Sequence, residues 1–355
     1  MDANCHERRD GPTSLGAARL TIEPPPQYPA AVVNVTNRCN LRCKHCYLYV
    51  EGNPNDEKDP IPDDAFLAEV ERLRDRHGLL AMVWQGGEPM IRWRLLERCV
   101  RLFSKNTITT NGTIPLKDFG PSVTYVISLD GPRDLNDSLR GDGVYAKVLA
   151  TIAAVPVEFS STIQVQCVVT RQNQRRLEEL VLDIVASRAD GMTFSFYCPN
   201  KGEVSSLGWG DATEREKAVD IVLALKEKYP KFIWNSRRAL ELMRAPTAKL
   251  VTDNCPALLT VLPLYVANGR FTSPFCCHGN NVDCARCGTW VAFAHAAKLP
   301  GPWDDIAPPT KPYGLLAEQL KRTRRQVAGT GVTQSSSRTS VKSPTIGLTR
   351  RTKSA

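Results

Sequence analysis

Short runs of strand character alternate with longer amphipathic stretches over the first two thirds of the chain. The runs are Ala31–Thr36, Leu80–Gln85, Thr107–Thr110, Val123–Leu129, Thr162–Thr170 and Met192–Cys198. Helical patterns separate them at Asp63–His77, Ile91–Lys105, Val144–Val155 and Gln174–Ala189, and a further helix is predicted at Thr213–Tyr229. The connection Gly112–Pro121 is short for a helix. Strands that alternate with helices predict βαβ units and a parallel sheet. Six such units predict an α/β fold, a partial (β/α)6 TIM-like barrel open on one side. In parallel α/β barrels the chemistry sits at the C-terminal ends of the strands.

The pattern divides the chain into an N-terminal arm (1–30), the partial barrel (31–230), a small Cys-rich C-terminal extension (231–297) and a C-terminal segment (298–355). The arm ends in Pro24, Pro25, Pro26 and Pro29, and the last segment holds a candidate helix at Tyr313–Arg325. Hydrophobic residues make up 42% and charged residues 23%, ordinary for a chain that buries a full core. The net charge of +9 arises in the tail: Lys321 to Ala355 carries nine Lys and Arg and no acid. Setting those nine aside leaves 37 basic against 37 acidic residues in the body. The charge therefore predicts a disordered, solvated basic tail rather than a nucleic-acid partner. No stretch reaches the roughly 18 apolar residues of a membrane span, and the first residues lack the apolar centre of a secretory signal. Twelve cysteines without an export signal predict a reducing, cytoplasmic setting in which grouped thiols bind metal.

The first run leads directly into Cys39, Cys43 and Cys46, spaced Cys-x3-Cys-x2-Cys. Three thiolates can hold a cubane iron–sulfur cluster and leave one iron open. Structural zinc wants a closed set of four ligands, and His45 directly precedes Cys46, a poor position for a fourth. Arg38, Arg42 and Lys44 are expected to lower the thiol pKa values.

Three further strand ends carry chemistry. Gly86-Gly87-Glu88-Pro89 combines glycines that let backbone approach a ligand with a carboxylate suited to an ammonium group. Thr109-Thr110-Asn111-Gly112 ends the third run, and Ser128-Leu129-Asp130 ends the fourth. Ser128 and Asp130 alternate about Leu129 and suit a ribose; Arg140 offers a planar fork for a carboxylate. Asp130 and Arg140 also read as residues that cap a turn or helix. Gln164 and Gln166 sit inside an apolar strand and face either a ligand or a helix. Cys99, Cys167 and Cys198 read as core thiols.

A second thiol group comprises Cys255, Cys276, Cys277, Cys284 and Cys287. The stretch Leu258–Val266 followed by Asn268-Gly269 predicts a β-hairpin that brings Cys255 toward Cys276. Cys284-x2-Cys287 adds a knuckle, with His278 as a spare donor. Four of these thiolates (Cys255, Cys276, Cys284 and Cys287, with Cys277 the alternative to Cys276) fit either an iron–sulfur cluster or tetrahedral zinc.

Taken together, these motifs resemble the radical S-adenosylmethionine (radical SAM) superfamily. The resemblance implies a [4Fe–4S] cluster on Cys39, Cys43 and Cys46 whose open iron binds SAM. Reductive cleavage would give methionine and a 5′-deoxyadenosyl radical that abstracts a substrate hydrogen. It implies SAM contacts at His45, near the adenine, and at Gly86, Gly87, Glu88, Pro89, Asn111, Ser128, Asp130 and Arg140. The C-terminal cysteines resemble the SPASM or shortened "twitch" extension, which carries an auxiliary cluster. The implied partners are an electron donor such as a flavodoxin or ferredoxin and a small-molecule biosynthetic substrate, because the arm is short for a peptide-recognition domain. Peptide maturation is the alternative, and a non-catalytic Fe–S or zinc protein the alternative of another class.

Overall fold

A computed structural model describes residues 28–50, 61–267 and 269–307. The arm before Tyr28, Asn268, the helix expected at Tyr313–Arg325 and the basic tail lie outside the described residues.

The strands are β1 (Ala30–Thr36), β2 (Ala81–Gly86), β3 (Lys105–Thr110), β4 (Val123–Ser128), β5 (Thr162–Val169), β6 (Gly191–Phe196), β7 (Val261–Ala267) and β8 (Arg270–Thr272). Helices α1 (Tyr47–Val50), α2 (Asp63–His77), α3 (Trp93–Cys99), α4 (Arg133–Arg140), α5 (Val144–Ala153) and α6 (Leu177–Val185) fall between the first six strands. After them come α7 (Ala212–Lys228), α8 (Arg237–Glu241), α9 (Thr247–Asp253), α10 (Ala257–Thr260) and, beyond the hairpin, α11 (Trp290–Ala296). The longer helices carry their own end signals. α2 opens on Asp63 and Asp64, ends on Arg74, Arg76 and His77, and stops at Gly78 in the left-handed region, charges that complement the helix dipole. α7 is capped by Asp211, whose side chain accepts from Glu214 N.

One sheet runs in the order β6-β5-β4-β3-β2-β1-β7-β8. β1 to β6 pair in parallel, β7 pairs in parallel with β1, and β7–β8 is antiparallel. The sheet does not close, so the fold is the partial barrel the pattern predicts. The connection between β3 and β4, short for a helix, forms none. Two local expectations change. The stretch expected to be one helix over Ile91–Lys105 is α3 flanked by 3-10 turns at Pro89–Arg92 and Val100–Leu102. The hairpin strand starts at Val261, because Ala257–Thr260 is helical, and its outer edge joins the main sheet through β1.

Alternation along the strands separates two faces. Trp84, Ile108, Tyr125, Ile127, Val165 and Cys167 are fully buried on the helix-covered face. Each such large apolar side chain stabilises the fold by about 1.5–3 kcal/mol. The intervening Gln85, Thr109, Ser128, Gln164 and Gln166 are half-buried on the concave face. There Gln164 and Gln166 both donate to Thr193 Oγ1, at 2.6 and 3.3 Å. The apolar face holds the barrel together and leaves a polar lumen.

Candidate active site

The cysteine loop is fastened on three sides. Gly87 N donates to Thr36 O and Glu88 N to Arg38 O, both at 2.8 Å, so the loop runs against the turn after β2. Gly86 has φ +140°, and a Cβ at Gly87 would lie 2.0 Å from Arg38 O, so only glycine permits this approach. On the opposite side Asn37 Nδ2 donates to Val266 O of β7 at 3.1 Å. In the middle, Lys44 N donates to Leu139 O of α4 at 2.9 Å.

Among the described residues Cys39, Cys43 and Cys46 form no disulfide, and all three are half-buried. Cys39 Sγ receives Leu41 N at 3.4 Å and Asn111 Nδ2 at 3.8 Å, and Arg140 Nη1 stands 4.0 Å from Cys43 Sγ. Burial pushes the Cys43 thiol up to about 11, against the pull of Arg140 and with Cys46, Asp130 and Cys39 adding to the rise. This corrects the expectation that Arg38, Arg42 and Lys44 depress it. Arg42 and Lys44 are exposed, where solvent screens their charge. A cation must therefore displace the Cys43 proton, the usual coupling of thiolate ligation to proton release. Three such thiols with N–H donors aimed at one of them fit a thiolate-ligated cluster.

Glu88 is fully buried and its carboxylate is engaged inside the protein. Oε1 accepts from Met90 N at 2.9 Å and Thr110 Oγ1 at 2.7 Å, and Oε2 from Asn111 N at 2.7 Å. Burial raises its pKa and these bonds oppose the rise. Pro89 opens the 3-10 turn that Glu88 caps. Asn111 Nδ2 also donates to Asn40 Oδ1 at 2.8 Å, and its Oδ1 accepts from Thr113 N at 2.9 Å. The Gly86–Pro89 turn, the end of β3 and the cysteine loop thus form one hydrogen-bonded unit.

Asp130, Arg140 and His45 form a second unit. Asp130 Oδ2 lies 2.6 Å from Arg140 Nε and 2.9 Å from His45 Nε2, while Oδ1 accepts from Val168 N at 2.8 Å. Burial disfavours the Asp130 charge, but Arg140 and His45 outweigh it and hold the carboxyl well below the usual range. Asp130, expected at a ribose, has its oxygens engaged by three protein donors. His45 Nδ1 is buried without a partner, and Ser128, half-buried, has no side-chain bond among the described residues. These two side chains keep polar atoms to offer a ligand.

The second thiol group forms around a cavity lined by Cys255, Cys276, Cys277, Cys284, Cys287 and His278. Cys276 and Gly279 close a tight turn, with backbone bonds of 3.2 and 2.9 Å, and Tyr265 Oη donates to Cys277 O at 3.0 Å. Arg215, 2% exposed, donates to Cys287 O at 2.9 Å and Met243 O at 3.1 Å. The motif reading had no signal for this cation, which lies within an ordinary amphipathic helix. Burial pushes Cys255 up to about 12 and His278 down to about 4. Among the described residues no three His, Cys, Asp or Glu side chains converge as ligands of one metal ion. A lone zinc needs its sulfur donors within about 2.3 Å of one point, whereas a cluster holds them farther apart. Tyr47, next to Cys46, packs its ring 4.6 Å from that of His278 and so touches both thiol groups.

Residues 33–184 match a family model described as the radical SAM superfamily. The chain is 31% identical over 166 residues to the pre-heme d1 synthase of Dinoroseobacter shibae, covering 43% of this chain and 39% of that protein. It is 26% identical over 245 residues to the sporulation killing factor maturation protein SkfB of Bacillus subtilis, covering 64% of this chain and 55% of that one. The chain spans about half the length of the curated relatives it matches. The crystal structure of Streptococcus suis SuiB bound to S-adenosylmethionine superposes with a TM-score of 0.53 at 17% identity, covering 70% of this chain and 64% of that chain. At that identity the likeness concerns the fold.

Proposed function

We propose, from the match of residues 33–184 to the radical SAM superfamily, that this chain is a radical SAM enzyme that uses a [4Fe–4S] cluster and SAM to abstract hydrogen from a small-molecule biosynthetic substrate. The observation that carries the reading is the joining of the three-cysteine loop, the Gly86–Pro89 turn and the Asp130–Arg140 pair at the C-terminal end of the parallel strands. Cys39, Cys43 and Cys46 would hold the cluster. When bound and reduced, the cluster supplies the electron that splits SAM to methionine and a 5′-deoxyadenosyl radical.

The chain's own residues do the rest. Glu88 fixes the loop, so the Gly86–Gly87 backbone rather than its carboxylate would receive the amino group of SAM. Arg140, held by Asp130 through Nε, has Nη1 4.0 Å from Cys43 Sγ, and its remaining donors would serve the SAM carboxylate. His45 Nδ1 and Ser128 Oγ are left for the adenosyl portion. The lumen residues Gln85, Thr109, Gln164, Gln166 and Thr193 are uncharged, which suits a neutral polar part of a substrate. The relative that makes pre-heme d1 supports a small molecule. We assign the second thiol group to an auxiliary iron–sulfur cluster rather than zinc, because a cavity lined by five cysteines suits the bulk and sulfur-rich ligation of a cluster. A flavodoxin- or ferredoxin-type donor would deliver the electron. A reducing compartment such as the cytoplasm suits described cysteines that form no disulfide.

Anaerobically reconstituted protein given dithionite and SAM is expected to release 5′-deoxyadenosine, and Cys43→Ala to release none. Equal, background-level release from both proteins overturns the proposal. Turnover of a peptide, with none of small-molecule candidates, would shift the substrate class to peptides.

A further inference from the structure

A sixth cysteine reaches the C-terminal thiol group from the barrel. Cys198 lies two residues past the end of β6, where the motif reading took it for a core thiol. Its neighbours differ from those of the core thiols. Cys99 and Cys167 are fully buried within the apolar core. The Cys198 thiol instead meets that of Cys287 in a hydrogen bond and lies within electrostatic reach of Cys276 and Cys277.

Backbone pairing on both sides fixes this encounter. Before the cysteine, Phe196 N donates to Gly288 O at 2.9 Å. After it, Asp283 N donates to Pro199 O at 2.9 Å and Lys201 N to Asn281 O at 2.8 Å, with an antiparallel bridge between Asn200 and Val282. Arg286 adds side-chain bonds to Asn200 O and Glu203 O, at 3.2 and 3.1 Å. The approach is close enough that a Cβ on Gly288 would sit 2.6 Å from Phe196 Cβ. Residues 196–201 are therefore zipped to the loop that carries Cys284 and Cys287.

An independent feature marks the same place as a ligand site. His278 lines the cavity with the five C-terminal cysteines, and its Nδ1 is buried with no hydrogen-bond partner. An orphaned nitrogen beside crowded thiols is costly unless a bound group compensates it.

We propose that Cys198 is a thiolate ligand of the second iron–sulfur cluster, so that barrel and extension hold that cluster jointly. This rests on the auxiliary-cluster reading given above. Through its contact with Cys287, Cys198 adds a sixth thiol to the five that line the cavity, more than the four thiolates a cubane needs, and the barrel ligand would join the end of β6 to the metal directly.

The test uses the full chain carrying Cys39→Ala, Cys43→Ala and Cys46→Ala, which leaves only the second site to load. Anaerobic reconstitution is expected to give about four irons per chain and a cubane electron paramagnetic resonance signal after reduction. Adding Cys198→Ser is expected to change the g values, because oxygen replaces sulfur at one iron. Adding Cys198→Ala is expected to lower iron by half or more, and Cys167→Ser to change neither. Far-ultraviolet circular dichroism matching the parent assigns the loss to a missing ligand rather than to a lost fold. A triple variant that binds no iron overturns the auxiliary-cluster reading and this proposal with it. A triple variant that binds iron, with the same iron content and g values after Cys198→Ser and Cys198→Ala, overturns the role of Cys198 alone.

Discussion

The two thiol groups reach similar chemistry by opposite construction. The N-terminal group comes from one loop of eight residues, Cys39 to Cys46, held from outside by a glycine contact, a buried carboxylate and a buried ion pair. The C-terminal group draws its cysteines from the link before α10, the turn after β8 and the 3-10 turn at Cys284–Arg286. Among the described residues the buried cation beside it is Arg215, bonded to carbonyls rather than to an acid. The first site is contiguous in sequence and rigid because of its neighbours. The second exists only when distant segments meet, so its integrity depends on tertiary stability.

The largest expected effect tests the outside support of the first site. Gly87→Ala puts a methyl group into Arg38 O. Displacing a reacting loop by this much is expected to cut 5′-deoxyadenosine release by about a hundredfold or more. Release within a factor of two of the parent would mean the loop does not depend on that contact.

Next comes Asp130→Asn, which leaves Arg140 buried without its partner. Breaking such a pair costs about 3–5 kcal/mol, to be read by urea unfolding at pH 7. The sign follows from a folded pKa below the unfolded one. The contribution is present above an unfolded pKa of about 4 and is lost as the pH falls further, so parent and variant are expected to converge in strong acid. A constant gap down to pH 2 would contradict the ion pair.

Arg215→Met makes the parallel test on the other side. Losing its charged hydrogen bonds is expected to cost about 1.5–3 kcal/mol. The resulting rise in amide exchange should be confined to residues 284–290, with the β1–β4 amides unaffected. A uniform rise across the sheet would show that the second site is not a separate unit of stability.

Acidification should also discriminate between the regions. His278 and His295 are both held neutral by burial, with pKa values of about 4. Between that value and an unfolded value of about 6.5 the unfolded chain binds more protons, so stability falls as the pH drops through this window. Amide exchange around both histidines is expected to accelerate roughly tenfold beyond the intrinsic change from pH 7 to 5. The Asp130 region should hold until below pH 4. The smallest effect is that of Ser128→Ala, a loss of about 1 kcal/mol in SAM affinity, or roughly fivefold. Calorimetry showing no change would remove Ser128 from the SAM contacts.

Wherever a residue's neighbours in sequence are also its neighbours in space, the pattern was readable. The six parallel strands, the cysteine loop and the strand-end motifs all follow from period and spacing. Arg140 comes within 4.0 Å of Cys43 Sγ, but the helix that presents it, α4, has too few apolar positions to announce itself. The engagement of Glu88 and Asp130 depends on donors from β3 and β5, which no local pattern reveals. β7 was visible as half of a hairpin, whereas its pairing with β1 needs the open edge of the sheet to be known. Cys198 and Arg215 look unremarkable along the chain because their partners lie about seventy to ninety residues away.

The position of β1 has a mechanical consequence. It lies between β2 and β7, so the strand that launches the first thiol loop is flanked by the strand that feeds the second. Neighbouring strands keep a spacing of about 4.8 Å, and the bond from Asn37 to Val266 pins the loop's root to the same edge. The gap between the two thiol groups is then set by sheet geometry. Electrons passing between clusters held there would cross a distance fixed by that geometry.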